Sequence, residues 1–314
     1  MSRTLLLIIV VKGDDLRFHL VFHVKEDGIQ LRDFLSAQDI SKRTLTAIKY
    51  SGGMLLVNGI ERDVRHLLYI EDKVEVYFPL EETSVGLKAE DGDLSIVFED
   101  DVLVILDKPA NQSTIPSYNH QTGTIANFVA GKFAREQIPS TVHVVTRLDH
   151  NTSGLVCIAK NRHIHHLLGQ QVGNSTFERR YVAIVQGHLQ SNQMLINEAI
   201  GRKDGSIIER IVRSDGQFAR TEVEVIERVV KDRLKLTKIA LKLHTGRTHQ
   251  IRVHMKWIGH PILGDDLYGG SRTLISRQAL HCEKLQFNHP ISNEPLTFKA
   301  SLPLDIERIL SQTH

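Results

Sequence analysis

The chain has 314 residues, too many for one typical hydrophobic core, so two domains are the default expectation. Apolar residues make up 41% and charged residues 24%, the balance of a soluble globular protein rather than a disordered or fibrous one. The net charge is only +2, so any polyanion must be met by a local patch, and no run of 18 apolar residues is present to span a membrane.

Leu5–Val11 follows Arg3 as a signal peptide would, but it is short, ends in Lys12-Gly13-Asp14-Asp15 and lacks a small-residue cleavage site. Leu5–Val11 and Leu16–Val24, joined by the Gly-Asp-Asp turn, instead predict a hairpin, and the expected location is cytoplasmic. The two cysteines, Cys157 and Cys282, lie among apolar neighbours and are expected as buried free thiols.

Lys25–Pro79 reads as a small module. Leu31, Phe34 and Leu35 recur at helical spacing, as do Leu45 and Ile48, with Ser41 placed to cap the second helix and Gly52-Gly53 to end it. Met54–Val57 and Lys73–Phe78 have strand composition. Lys42, Arg43 and Lys49 share the second helix, with Arg62 and Arg65 in the following loop; taken alone, they describe a solvated face.

Leu80–Asp93 has the composition of a linker. Residues 81–110 carry nine Asp or Glu against two Lys or Arg, an acidic belt that a polyanion would avoid. Ser95–Phe98 and Val102–Leu106 then predict strands, Lys108-Pro109 ends the second, and Thr124 opens a helix with Ile125, Phe128, Val129 and Phe133 on one face.

The central stretch follows. Two apolar runs, Val142–Val145 and Gly154–Ala159, flank a loop holding Arg147, Asp149, His150, Asn151, Thr152 and Ser153, the kind of polar turn on which a rigid scaffold presents reactive groups. Asn161 is placed to cap a helix with Ile164, Leu167, Leu168 and Val172 inward, which turns Arg162, His163, His165 and His166 toward its other faces. That histidine spacing suits no metal site.

Arg179–Gln186, carrying Tyr181, reads as a strand, and Ala219–Val229 and Leu234–Leu243 alternate as half-buried strands do. From Gly201 to Lys256 there are fourteen Lys or Arg against seven Asp or Glu, the reverse of the acidic belt. His244–Met255 is a dense polar cluster in which Ile251, Met255 and Ile258 share a helical face, Gly259 suits the C-terminal turn, and Gly246 leaves the preceding amides approachable by phosphate. Leu280–Phe287 predicts a strand, Leu304–Leu310 a short helix, and Gly264, Asp265, Tyr268 and His281 read as scaffold.

No phosphate-binding glycine loop, dinucleotide fingerprint, nucleophile elbow or metalloprotease pattern is present. A carboxylate paired with a guanidinium stays ionised and oriented, so the loop acid suits attack at a sugar C1′ or work as a base. Tyr181 offers a flat face for a nucleobase and a hydroxyl for proton transfer. Spacing does not choose between Arg252 and Arg247 as the acid's partner. A solvated Arg–Asp pair, a structural helix arginine and a core tyrosine are the plainer readings of the same residues.

Residues 25–79 resemble an S4-type RNA-binding domain through "LRDFL", "ISKRTLTAIKYSGGMLLVNG" and "EDKVEVYFP"; that resemblance implies RNA contacts for Lys42, Arg43 and Lys49. The segments "TRLDHNTSGLVCIAK", "ERRYVAIVQG" and "LHTGRTHQIRVHMKWIGHPILGDDLYG", in this order, resemble the pseudouridine synthases of the RluA/RluD type, as do "IVFEDDVLVILDKPANQSTIP" and "ALHCEKLQFNHP". The match spans about residues 95–303 and implies an isomerase that breaks the N1–C1′ bond of an RNA uridine, turns the uracil and rejoins it through C5. The resemblance assigns the catalytic aspartate to Asp149, its basic partner to Arg252, the active-site tyrosine to Tyr181, and support of the flipped nucleotide to Arg147, with Arg247 a further RNA contact. Two positions depart from that family's pattern: Thr146 stands for a histidine and Arg179 for a lysine.

The expected fold is α+β, with an S4-like module at 1–80, an acidic linker at 81–94, and at 95–314 a catalytic domain on a mixed, largely antiparallel sheet. The expected partner is RNA, ribosomal first and transfer RNA second; no cofactor, metal or membrane is implied, and a monomer is the default. The competing classes are a non-catalytic RNA-binding assembly factor on the same fold and a hydrolase that releases free uracil.

Overall fold

The computed structural model describes residues 17–82, 84 and 86–311. In the N-terminal part a four-stranded antiparallel sheet runs in the order His19–His23, Lys73–Tyr77, Met54–Val57, Ile60–Glu61. The helices Leu31–Ala37 and Lys42–Tyr50 bury Leu31, Phe34, Leu35 and Ile48. Ser41 Oγ accepts the Thr44 amide at 3.1 Å, satisfying one of the free amides of the second helix, and Gly52 ends it at φ +90°. Leu5–Val11, half of the expected hairpin, lies outside the described residues. His19–His23 pairs with Lys73–Tyr77, from Leu20 opposite Val76 to Phe22 opposite Val74.

The rest is built on a ten-stranded sheet. Its main path runs Gln193–Ile196, Thr221–Lys231, Leu234–Leu243, Glu178–Gln186, Leu280–Asn288, Ser153–Ala159, Leu103–Lys108, Ile96–Glu99. One junction is parallel, where Ser153 and Gly154 meet His281 and Cys282, and the other pairings are antiparallel. The mixed, largely antiparallel α+β fold read from the sequence is therefore the one formed. Ser153–Ala159 is buried along its whole length, as its unbroken apolar run requires.

Local signals placed the helices well. Thr124 and Asn127 form a reciprocal capping box ahead of Ile125–Arg135, Asn161 Oδ1 accepts the Ile164 amide at 2.9 Å ahead of Arg162–Gly173, and the last helix is Leu304–Leu310. Both cysteines are free and buried. Among the described residues no helix is long and apolar enough to cross a membrane.

Three expectations change. Val142–Val145 shrinks to the two-residue strand His143–Val144, because the Val145 and Thr146 amides both turn to the Cys157 carbonyl as the loop begins. His163 is not turned outward: it is buried, its ring stacked on Phe78 at 4.9 Å, so the N-terminal part closes over a second face of that helix. The acidic stretch after Leu80 is strapped down rather than free. Glu81 accepts from the Arg162 amide and pairs with His143, while the Glu90 amide donates to the Asn127 carbonyl. Gly131 permits this approach, since a β-carbon there would lie 2.1 Å from the Glu90 carbonyl oxygen. A hairpin of Ile200–Arg202 and Arg210–Val212, unread from the sequence, adds a separate two-stranded ribbon.

Candidate active site

The loop between His143–Val144 and Ser153–Ala159 is held at nearly every residue. Thr114 Oγ1 donates to the Leu148 carbonyl at 2.8 Å and accepts its amide at 3.1 Å, and the Thr152 amide donates to the Asp149 carbonyl. Lys108 donates to three carbonyls, those of Pro109 and Gln112 at 2.7 Å and of His150 at 3.2 Å. Arg277 donates to the Asn151 carbonyl at 3.1 Å and is itself gripped by both oxygens of Asp305 at 2.7 and 2.9 Å. Gly154 leaves the loop at φ +111°, where a β-carbon would sit 2.3 Å from the Cys282 carbonyl oxygen, so only glycine fits that parallel junction. His281, buried, meets Ser153 Oγ through Nδ1 at 3.0 Å. Such closure fixes the direction of the side chains the loop carries.

Asp149 is met by Arg252, which reaches it from the helix Gln250–Trp257 through Nη1 at 3.2 Å. The bidentate grip on Arg252 comes from Asp265, with Nε and Nη2 donating at 2.7 and 2.8 Å. Side-chain exposure grades along this chain: Asp149 27%, Arg252 8%, Asp265 0%. The Tyr268 ring lies 4.9 Å from the Arg252 guanidinium. Burial opposes the Arg252 charge, but the Asp265 hydrogen bonds and the Asp149 charge outweigh it and hold the group above its ordinary value.

Tyr181 is buried on Glu178–Gln186, opposite Leu241 and Cys282. Burial pushes its hydroxyl well above the ordinary phenol range; Cys282 and the charge of Asp149 add to the shift, which sets Tyr181 in the same field as the loop acid. Arg179, two residues earlier, is also buried; its Nη2 donates to the Thr245 carbonyl at 3.3 Å and its Nε has no partner. Thr146 Oγ1 accepts the Cys157 amide at 3.0 Å, so this departure from the resembled pattern is a strut of the loop.

Arg147 is exposed on the same loop and pairs with no acid among the described residues. The adjacent Arg147–Asp149 pair of the plainer sequence reading is therefore not formed. Arg247 is exposed too, its Nε donating to the Phe218 carbonyl at 2.9 Å, which leaves the Asp149 contact to Arg252. Lys42, Arg43 and Lys49 are not brought to Asp149. They are exposed on Lys42–Tyr50, and Arg43 lines a cleft whose other wall includes Arg162, His165 and His166.

Sequence reasoning missed the role of Asp265 as the anchor of Arg252, and that of Arg277 on the loop backbone. It also passed over the role of Lys108, whose signal was a buried-strand cation following the apolar run Leu103–Leu106 and Asp107. Burial pulls the Lys108 ammonium down to about 7, with the Asp149 charge opposing. Among the described residues no group of three or more His, Cys, Asp or Glu is arranged to hold a metal ion.

An α+β domain that gathers a loop acid, a buried arginine and a buried tyrosine around the middle strands of its central sheet has groups suited to rearranging or cleaving a glycosidic bond. The family model for RNA pseudouridylate synthase matches residues 102–257. The chain is 42% identical over 280 residues to the RNA pseudouridine synthase YjbO of Bacillus subtilis (strain 168), covering 89% of this chain and 98% of that protein. It is 33% identical to ribosomal large subunit pseudouridine synthase D of Xanthomonas campestris pv. campestris, covering 82% of this chain and 81% of that one. Human RNA pseudouridylate synthase domain containing 1 superposes with a TM-score of 0.55 at 26% identity, covering 68% of this chain and 86% of that structure. The chain belongs to the RNA pseudouridine synthase family. It is an isomerase that acts on uridine in RNA.

Proposed function

We propose that this enzyme isomerises uridines of large-subunit ribosomal RNA, with Asp149 as the catalytic acid group, Arg252 as its partner and Tyr181 beneath the flipped uracil. The observation that carries the residue assignment is the chain Asp149–Arg252–Asp265. Asp265 grips the arginine from the buried side through two hydrogen bonds, so Arg252 can hold Asp149 aimed through a single one without sequestering it. Asp149, the more exposed of the two acids, is left to face substrate.

The reaction breaks N1–C1′, forms C5–C1′, releases the C5 proton and returns a proton to N1; nothing is oxidised and no group is lost. The target atoms are stacked in folded RNA, so the nucleotide must be flipped out, at a cost of a few kcal/mol. Arg147, exposed on the loop that bears Asp149, would help hold the nucleotide out of its stack. Relatives bearing the name ribosomal large subunit pseudouridine synthase D favour ribosomal over transfer RNA. The N-terminal part, taken as an S4-like module ending near residue 80, would grip flanking RNA through Lys42, Arg43 and Lys49. The enzyme is read as a cytoplasmic monomer.

Large-subunit ribosomal RNA transcribed with 5-tritiated uridine tests this reading, with transfer RNA transcripts as the second arm. The native protein is expected to release tritium to water from the ribosomal transcript without free uracil, and Asp149→Asn to bind that RNA but release none. Release from transfer RNA alone would move the target, and release by Asp149→Asn would remove Asp149 from the chemistry.

A further inference from the structure

We propose that His249 contacts the substrate: its Nε2–H, held as a donor by Tyr268, hydrogen-bonds an acceptor oxygen of the flipped nucleotide beside Asp149. The inference rests on the reading of Asp149 as the centre of the uridine site.

His249 precedes Gln250–Trp257 at φ 57°, ψ 21°, a left-handed conformation that costs a residue with a β-carbon roughly 1–2 kcal/mol. Its side chain does not cap the helix, so helix termination does not account for the strain. Strained backbone that the surroundings hold in place clusters where a side chain must be aimed.

What the ring meets settles its protonation. Nδ1 lies 2.9 Å from the Tyr268 hydroxyl, with the two rings edge to face at 81°. That hydroxyl also accepts the backbone amide of Arg210 at 3.0 Å, and an amide can only donate. Tyr268 is buried, and burial pushes its hydroxyl up to about 12, so it keeps its one proton. Nδ1 is the remaining partner among the described residues, and the hydroxyl therefore donates to it. Burial also lowers the His249 pKa, favouring the neutral ring, whose proton must then sit on Nε2.

Nε2 has no hydrogen-bond partner among the described residues, yet it is not one of the sealed-off polar atoms. It is an open donor. Tyr268 meets both the His249 ring and the Arg252 guanidinium that holds Asp149, and the charges of Asp149, Arg252, Asp265 and Arg210 all act on the ring, so it lies beside the loop acid. A neutral Nε2–H offers no lone pair, so its partner is an acceptor: a uracil carbonyl or a phosphate oxygen. Tyr268 is the positioning residue behind this arrangement. Its ring supports the guanidinium of Arg252 while its hydroxyl sets His249, and the Arg210 amide ties both to the Ile200–Arg202 and Arg210–Val212 hairpin.

Two measurements on the full-length protein test the inference. Nitrogen-15 NMR of the histidine rings at neutral pH is expected to show His249 protonated at Nε2, and Tyr268→Phe to mix the two tautomers. A ring protonated at Nδ1 in the native protein overturns the proposal whatever RNA is used. In tritium release, His249→Asn keeps a residue tolerant of the left-handed backbone but cannot reach the cleft, and is expected to lower kcat/KM about tenfold or more. His249→Gln, whose amide nitrogen falls near the position of Nε2, is expected to recover part of the loss, which a purely structural defect would not allow. A rise in KM alone identifies a phosphate oxygen; a fall in kcat identifies a uracil carbonyl, on which charge develops as N1–C1′ breaks. Unchanged kcat and KM in His249→Asn, with the native enzyme active, would sink the inference while leaving Asp149 untouched. A native protein silent on every transcript would sink the target reading instead, and the tautomer would still judge His249.

Discussion

Asp149 and Asp265 share one guanidinium unequally: Asp265 takes its Nε and Nη2 in two hydrogen bonds of 2.7 and 2.8 Å, and Asp149 takes only Nη1 at 3.2 Å. The buried acid holds the arginine, and the arginine holds the exposed acid. The two carboxylates are therefore expected to respond differently to the same substitution.

Asp265→Asn leaves Arg252 buried with half its partner gone. A broken buried ion pair costs about 3–5 kcal/mol, so chemical denaturation is expected to show a loss of that order. Asp149→Asn, at a partly exposed site with one hydrogen bond, is expected to cost about 1 kcal/mol or less while abolishing tritium release. The reverse ranking of stabilities would show that Asp265 is not the anchor.

Tyr181→Phe keeps the flat face and nearly all the buried volume, and removes only the hydroxyl. Burial favours the protonated hydroxyl, so for that oxygen to take the C5 proton its own must first pass to another base; with such a relay, kcat for tritium release falls by about 10²–10⁴-fold with KM little changed. Tritium release at the native rate would assign proton removal to another group and leave Tyr181 as a stacking surface.

Lys108 gives the protein a pH dependence on its basic side. Its ammonium titrates near 7 when folded and at 10.5 when free, so the unfolded chain binds the proton first as pH falls. Stability from this group is thus expected to rise with pH between those values and to be flat below the lower one. Urea denaturation across that range should show the slope in the native protein and lose it in Lys108→Met. The same variant frees the carbonyls of Pro109, Gln112 and His150, so its kcat is expected to fall as the Asp149 loop loosens.

Glu81 acts on the acid side. Burial disfavours its charge, but the hydrogen bonds with His143 and the Arg162 amide more than offset it, and its pKa sits below the ordinary 4.5. Its contribution is present above that ordinary value and lost as pH falls through the lowered one. Glu81→Gln is expected to cost about 1–2 kcal/mol at neutral pH, with the difference from the native protein shrinking as pH falls below the ordinary value and vanishing below the lowered one. A difference that persists in acid would mean the strap is held by packing alone.

The sequence by itself determined what depends on near neighbours. Ser41, Thr124 and Asn161 cap the helices their spacing announced, Met54–Val57 and Leu234–Leu243 are strands with the bounds their composition and alternation respectively suggested, and the loop carrying Arg147 and Asp149 lies between paired strands. These features rest on backbone propensity and on hydrogen bonds that close within a few residues. Tertiary structure decided which charges meet. Asp149 could have paired with Arg147, two residues away, but meets Arg252 across 103 positions, and Arg252 is held in turn by an acid that read as scaffold. His163 was assigned to an outer face because its own helix leaves that face free; Phe78, from another part of the chain, covers it. Burial and long-range closure set these partners. Neither leaves a periodic trace in the local sequence, because the cost of an unpaired buried charge is felt only after distant segments have packed.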